Sequence, residues 1–334
     1  MNLLITGGAG FIGSNLVHLA IERGHRVVTL DALTYAGSRD NLADLDSNPN
    51  HIFIKGDIRD QAMVEQTITS GFNSDTFDAV INSAAETHVD RSISGARLFA
   101  DTNILGTATL LESARKHSIK RFVQVSTDEV YGSITGDGKF TRQSPYSPSS
   151  PYSSSKTGAD LFALSFYHTY QYDVRITRCT NNYGQFQFPE KFIPTIITNA
   201  LLGKKIPIYG DGLNIRDWIY VGDHSDGILT VLERGEAGSI YHFGGSNELT
   251  NIDLCSKIVQ VLAQELNIAE SQLRSLMTFV EDRPGHDRRY ALDWSDSERE
   301  LGWKPKTDWE SGLLSTVRWY LNNRAWWEPK LKQI

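Results

Sequence analysis

Cysteine is scarce: Cys179 and Cys255 are the only two in 334 residues. They form no C-x-x-C and no disulfide framework, so a reducing compartment is expected. The nine histidines show no H-E-x-x-H or comparable spacing, and no metal site is expected. No apolar run approaches transmembrane length. The start, MNLLITGGAG, lacks a basic segment and a long apolar stretch. The expectation is therefore no signal peptide and a cytoplasmic protein. Positive charge is in deficit, 33 Lys and Arg against 40 Asp and Glu. A net charge of -7 argues against nucleic acid as the main partner. It does not exclude an anionic substrate, which local basic residues would decide. Internal repeats and low-complexity segments are also missing. What remains is an ordinary globular composition, 40% hydrophobic and 22% charged, long enough for one large or two modest domains.

The first stretch with a distinct pattern is at the N-terminus. Asn2 to Thr6 reads as a short apolar strand, and Leu16, Val17, Leu19 and Ala20 read as a helix. Between them, Gly7, Gly10 and Gly13 make G-x-x-G-x-x-G around Ala9, Phe11 and Ile12. Glycines between strand and helix permit a tight turn and close backbone approach to a pyrophosphate, and the helix N-terminus supplies amide donors. A second strand ends at Asp31, where a carboxylate suits an adenosine ribose 2′-hydroxyl and repels a 2′-phosphate. After a third strand, Asp57-Ile58 can hold an adenine edge, or Asp57 or Asp60 can cap a helix. A fourth strand ends in Asn82-Ser83-Ala84-Ala85, residues small enough to let a dinucleotide pass. The loop from Glu86 to Ser92 is either a salt-bridged surface or a face toward a sugar phosphate. A helix is expected from about Ala100 to His117. Alternating strands and helices of this kind give a parallel, doubly wound α/β sheet.

The second patterned stretch runs from Arg121 to Lys156. Phe122 to Val125 reads as a buried strand that stops at Ser126-Thr127-Asp128-Glu129. Ligands of open α/β sheets sit outside the carboxyl ends of strands. Tyr152 and Lys156 follow at i, i+4, on one face of a helix if Pro151 opens it. A nearby ammonium would lower the pKa of the phenol and let it act as a base. An isolated Y-x-x-x-K is more often an ordinary amphipathic helix, so the pair draws its weight from the residues upstream. On a regular strand Asp128 and Glu129 would face opposite sides. For both to reach one substrate they must sit in the loop or at a helix start.

TGGAGFIG, Asp31, NSAA, the Ser-Thr pair and YSSSK together resemble the extended short-chain dehydrogenase/reductase family. Thr127-Asp128-Glu129-Val130-Tyr131-Gly132 is more similar to its nucleotide-sugar 4,6-dehydratases than to its sugar 4-epimerases, which lack the Asp-Glu pair. The likeness continues through ETHVDRS, CTNNYG, PEKFIP, PIYGDG, RDWIYV and DRPGHDRRYA, and so covers nearly the whole chain. It implies a Rossmann-like NAD-binding domain over 1–180 with a return segment near 217–232. A smaller, interleaved nucleotide-sugar-binding domain is implied over 181–334. It implies bound NAD, held by the glycine loop with Phe11 and Ile12, by Asp31, Leu33 and Thr34, by Asp57 and Ile58, by Ser83, Ala84 and Ala85, and by Tyr152, Lys156 and Asn182. The implied substrate is dTDP-glucose, though no residue excludes another nucleotide on physical grounds. Its implied contacts are His88, Thr127, Asn181, Glu190, Lys191, Pro207, Tyr209, Arg216, Asn251, Arg283 and His286. Thr127, Asp128, Glu129, Tyr152 and Lys156 would be catalytic. A homodimer packed through the helices near 100–117 and 152–170 is implied as well. Read from the residues alone, Tyr209 is equally an edge-strand aromatic, Asn251 a helix cap, and the 283–289 segment a solvated loop. A non-catalytic sensor of NAD redox state is a different class of reading, disfavoured by the intact Tyr, Lys, Asp and Glu.

Overall fold

Seven strands that are apolar on both faces form the centre of the molecule. In this computed structural model, which describes residues 1–134, 136–282 and 287–333, they are β1 (Asn2–Thr6), β2 (Arg26–Asp31), β3 (His51–Lys55), β4 (Ala79–Asn82), β5 (Arg121–Thr127), β6 (Asp173–Cys179) and β10 (Ile240–Phe243). All pair in parallel, in the order β10-β6-β5-β4-β1-β2-β3. Leu3, Leu4 and Ile5 are fully buried, as strands covered on both faces require. Strand order reverses between β1 and β4, and a crevice opens at such a switch point, outside the carboxyl ends of the strands. That edge is knitted together by side chains. The Thr6 hydroxyl donates to Asn82 Oδ1 (2.7 Å), and Asn82 Nδ2 donates to Gln124 Oε1 (2.9 Å) and Thr107 Oγ1 (3.0 Å).

The covering helices are α1 (Phe11–Glu22), α2 (Gln61–Ser70), α3 (Val89–Ser94), α4 (Ala96–Phe99), α5 (Thr107–Lys116) and α6 (Pro151–Tyr170). The single helix expected from Ala100 is thus interrupted: residues 100–106 form a π-turn ahead of α5. Asn103 explains it. Its buried amide accepts from the Glu86 amide (2.8 Å) and donates to the Glu86 carbonyl (3.0 Å) and to Ser155 Oγ (2.8 Å). The wider turn turns Asn103 inward and ties the loop after β4 to α6.

Beyond β6 the chain builds a second cluster on β7 (Asn181–Tyr183), α7 (Phe192–Leu201), β8 (Ile206–Tyr209) and β9 (Ile215–Tyr220). It returns through α8 (Val221–Arg234), packed on α1, to place β10 beside β6. It then leaves again for β11 (Glu248–Thr250), α9 (Asn251–Leu266), α10 (Glu270–Arg274) and β12 (Met277–Val280). Last come α11 (Ser295–Leu301), α12 (Trp309–Asn322) and α13 (Arg324–Trp327). Leu254, Ile258, Leu262, Leu313, Val317 and Tyr320 fill this second core. Asn251 is not the cap of α9. Thr250 is, accepting from Asp253 N at 3.1 Å, and Asn251 lies one residue inside the helix. Among the described residues no helix is long and apolar enough to cross a membrane.

Candidate active site

The glycine loop has the shape an anion needs. Gly7 sits at φ +69°, and a Cβ there would lie 2.7 Å from Ala84 Cα. A Cβ on Gly13 would lie 2.0 Å from the Gly7 carbonyl oxygen. Gly10 precedes α1 with no side-chain cap, and the first turn, containing Phe11 and Ile12, holds no acidic residue. Uncapped amides and the helix dipole there favour a phosphate. Asp31, buried at the end of β2, accepts from Ala9 N (2.9 Å) and Leu33 N (2.8 Å). It therefore locks the glycine loop to the next loop, in which Leu33 adopts φ +52° and the Thr34 carbonyl accepts from Gly37 N (3.2 Å). Burial raises the Asp31 pKa against the pull of those hydrogen bonds. Ser83 N and Ala84 N donate to the Thr6 carbonyl and hydroxyl, which brings Ser83, Ala84 and Ala85 alongside. Asp57 is held by Arg59, whose Nε and Nη2 reach both of its carboxylate oxygens; Asp60 caps α2. Ile58 is buried and would touch a Cβ on Gly106. A dinucleotide fits this cradle, because close backbone approach and open amides coincide at the switch point.

At the end of β5 the pleat stops. Thr127 caps a 3-10 turn, Asp128–Tyr131, by accepting from Glu129 N at 3.2 Å. Asp128 and Glu129 thereby leave strand alternation, as two acids serving one substrate require. Asp128 is buried, with Oδ1 accepting from the Thr127 hydroxyl (3.2 Å) and Oδ2 unpartnered among the described residues. Burial first, and then the neighbouring Glu129, push its pKa well above the usual carboxylate range. An upward shift of this kind is what lets a carboxyl serve as a proton donor.

Ser150 and Ser153 form a capping box at the start of α6, with Pro151 in the first turn, and this sets Tyr152 and Lys156 on one buried face. Lys156 Nζ donates to the Val125 carbonyl (2.7 Å). The expectation that the ammonium lowers the phenol's pKa needs correction. Burial, with Glu129 and Cys179 behind it, drives Tyr152 well upward, and only the hydrogen bond with Thr127 opposes it. Lys156 is itself lowered by burial, against Asp160 and Cys179. Desolvation dominates both shifts because both side chains are buried.

Glu129 opens into a cavity of about 140 Å³ at the crevice, shared with Asn181, Tyr209, Arg216 and Asn251. Arg216 is held ready. Its Nη1 donates to the Ile215 carbonyl (2.7 Å) and Nη2 to the Asp287 carbonyl (2.9 Å), and its guanidinium lies 4.3 Å over the Tyr290 ring. A larger depression of about 490 Å³ lies near Lys257, Lys306, Asp308 and Glu310, but it holds none of the predicted residues and is open to solvent. The smaller cavity is therefore the candidate. Asn182 faces away, toward Cys179 Sγ (3.2 Å) and the ring of His224, whose Nδ1 donates to Asn182 Oδ1 (3.0 Å).

Other predicted residues gather beside the cavity rather than in its lining. His88 caps α3 and lies 3.5 Å from Glu190, which Arg91 also approaches at 3.6 Å. Burial raises the Glu190 pKa. Lys191 Nζ donates to the Thr87 carbonyl (3.3 Å), and Pro207 lies on β8. The loop is ion-paired through His88 and Arg91, and its Val89 and Asp90 reach the cavity wall. Arg283 and His286 lie outside the described residues. Val89, Asp90, Ser149, Ser150, Phe192, Trp218, Asp287 and Tyr290 also line the cavity and were not among the predicted contacts. The Tyr290 hydroxyl donates to Asp287, and the ring supports Arg216. The DRRYA motif was the one available signal.

A family model described as GDP-mannose 4,6 dehydratase matches residues 4–316. The chain belongs to this family. Within it, the chain is 49% identical to a dTDP-glucose 4,6-dehydratase of Xanthomonas campestris pv. campestris over 97% of this chain and 94% of that one. It is 46% identical to the enzyme of that name from Streptomyces antibioticus, over 100% and 96%. Among solved structures, the dTDP-glucose 4,6-dehydratase DesIV of Streptomyces venezuelae, with NAD bound, superimposes at a TM-score of 0.91 with 48% identity, over 99% of this chain and 100% of that one. The UDP-glucose 4-epimerase of Thermotoga maritima superimposes at 0.87 with 29% identity, over 97% and 100%. The family architecture thus serves dehydratases and epimerases alike, and the dehydratase relatives share far more of the sequence.

Proposed function

We propose that the protein is a dTDP-glucose 4,6-dehydratase that uses NAD and yields dTDP-4-keto-6-deoxyglucose. The observation that carries this reading is the capped turn after β5. It puts a buried Asp128, its pKa raised, next to Glu129, which lines the cavity, and near Tyr152. An epimerase has no use for the two acids. The close dehydratase relatives support the nucleotide named.

When bound, NAD supplies a reversible store for one hydride. The residues placed to hold it are the glycine loop, Asp31 and the Ser83–Ala85 segment. Asp31 favours NAD over NADP, because its carboxylate would meet a 2′-phosphate. In the reaction Tyr152 takes the proton of the glucosyl C4 hydroxyl, and Thr127 hydrogen-bonds the same oxygen. Lys156 stands four residues along α6, on the same buried face as the phenol. The C4 ketone makes the C5 hydrogen acidic, and Glu129 removes it. Asp128 gives its proton to the C6 hydroxyl, which leaves as water. Glu129 then returns a proton to C5. Arg216, Asn181, Tyr209 and Asn251 line the place for the nucleotide diphosphate end. Exposed Leu98, Leu105, Leu161 and Phe162, on α4, the π-turn and α6, support a homodimer through that face.

The deciding experiment follows one hydrogen. Substrate deuterated at C4 should lose one water and carry its deuterium into the C6 methyl group, with no net consumption of NAD. Mass spectrometry of the product reads both. Unchanged mass with a new sugar would point to epimerisation. Product without deuterium at C6, or release of stoichiometric NADH, would defeat the mechanism.

Arg216→Ala should raise KM for the nucleotide sugar much more than it lowers kcat, since a diphosphate contact is made equally in ground and transition states. Steady-state kinetics that show a large fall in kcat at unchanged KM would remove this role.

A further inference from the structure

Ala9 stands at the middle of the glycine loop and is fully buried. Its N–H is fixed by Asp31; its carbonyl accepts from Ser38 N (3.0 Å) and from Asn41 Nδ2 (2.8 Å). Asn41 is itself fully buried, in the 3-10 turn Arg39–Leu45. The oxygen of its amide accepts from the indole N–H of Trp326 at 2.8 Å, from a point 285 residues further along the chain. An indole N–H can only donate, so it can face only the amide oxygen. The amide nitrogen is thereby turned toward Ala9. A flipped Asn41 would set two acceptors against each other at the loop and leave the indole facing a donor.

Trp326 is well placed for this. Its ring packs against Trp319 (centroids 4.8 Å apart) and Phe186 (6.1 Å), and Lys330 Nζ lies 4.4 Å over it. Lys330 also reaches Asp40 Oδ2 at 3.3 Å, beside Asn41. A second bridge joins the same regions. Asn15 on α1 exchanges hydrogen bonds with Gln185, and His18 stacks on Phe186 with rings 8° from parallel.

We propose that Trp326 is a positioning residue for the dinucleotide cofactor. By setting the orientation of the Asn41 amide it holds the Ala9 peptide, and with it the uncapped first turn of α1, in the form that receives a pyrophosphate. The last segment of the chain is then part of the cofactor site. This rests on the NAD reading given above.

The test is Trp326→Phe, which keeps an aromatic ring and removes the N–H. Calorimetric titration of NAD+ into cofactor-stripped protein should show a dissociation constant raised about five- to tenfold, the value of one buried hydrogen bond. The loss should fall on that constant rather than on kcat at saturating NAD+. In the cofactor-free protein, amide hydrogen exchange over residues 8–14 should be faster than in the wild type. Asn41→Asp keeps an acceptor for the indole but places a carboxylate against the Ala9 carbonyl, and should weaken NAD+ binding more. The double variant should be no worse than Asn41→Asp alone, because both changes act through one link. Unchanged NAD+ affinity in Trp326→Phe overturns the proposal, as do additive effects or lowered thermal stability with unaltered affinity. A wild-type protein with no affinity for NAD+ would refute the cofactor reading instead. The exchange comparison would still decide whether Trp326 orders the loop.

Discussion

Tyr152→Phe should turn over nucleotide sugar about 10²–10⁴-fold more slowly than the wild type, the range typical of a lost acid–base group. The ring has an edge-on partner in Phe99, with centroids 6.4 Å apart, so phenylalanine fills the same space. The Thr127 hydroxyl keeps Asp128 as an acceptor. The fold should therefore survive, and rapid mixing should show slow reduction of bound NAD rather than weak binding. The pH dependence follows from the buried phenol. Its pKa is raised in the protein alone, and the reactive form is the deprotonated one. Wild-type oxidation should thus accelerate with rising pH over a range in which Tyr152→Phe shows no such rise. Asp128 acts in the opposite sense. It must hold its proton for water to leave, so elimination falls as pH rises through its elevated pKa. Wild-type turnover by Tyr152→Phe would refute the assignment of the base.

Asp160→Ala should destabilise the protein by about 3–5 kcal/mol, the cost of leaving one member of a buried ion pair alone. Asp160 and Arg178 are both fully buried, 2.9 Å apart. Asp160 also accepts from the Ser126 hydroxyl (3.0 Å), two residues before the Asp128–Tyr131 turn. Arg178 donates to the hydroxyls of Tyr131 and Tyr146, and Tyr131 meets His242 Nε2 at 2.8 Å. His242 Nδ1 faces the Asp293 carbonyl, so it carries the proton, and Nε2 must accept from Tyr131. Burial lowers the His242 pKa to about 3, which keeps that ring neutral. One ionic pair thus anchors β5, α6, β6, β10 and the turn that bears both acids. Urea unfolding should show the loss, and replacing Asp160 and Arg178 together by Leu and Met should recover much of it. A single variant as stable as the wild type would show that the pair carries little of the fold.

The local parts of this site are legible in the sequence because their causes are local. Strand, glycines and helix lie within residues 2–20, and the i, i+4 spacing of Tyr152 and Lys156 needs only one helix. The doubly wound sheet follows from the alternation of elements. The Asp128–Glu129 turn was anticipated from geometry, since alternation on a strand would have parted the two acids. Contacts made across long separations could not be read this way. Tyr290 supports Arg216 from 74 positions away, and the DRRYA motif around it does not say which residue it would meet. Asn103 would be an unremarked polar residue in a helix but for Glu86 and Ser155, which only the packed chain brings to it. The sign of the shift at Tyr152 failed for a related reason. Charge pairing is visible as a sequence pattern, whereas burial depends on everything that covers the site.

The return of the chain through α8 to β10 has a consequence for how the molecule assembles. A strand at the edge of the large sheet is delivered only after β7, α7, β8 and β9 have been laid down elsewhere. During synthesis, the first six strands emerge without the helix that covers α1 and without the neighbour that closes the open side of β6. Apolar surface and an unpaired strand edge stay exposed in that interval. Contacts of such long sequence separation also slow the search for the native pairing. Nascent chains halted within the 181–239 stretch would therefore be the species most dependent on chaperones, and the hydrogen bonds between β10 and β6 mark the moment at which that dependence ends.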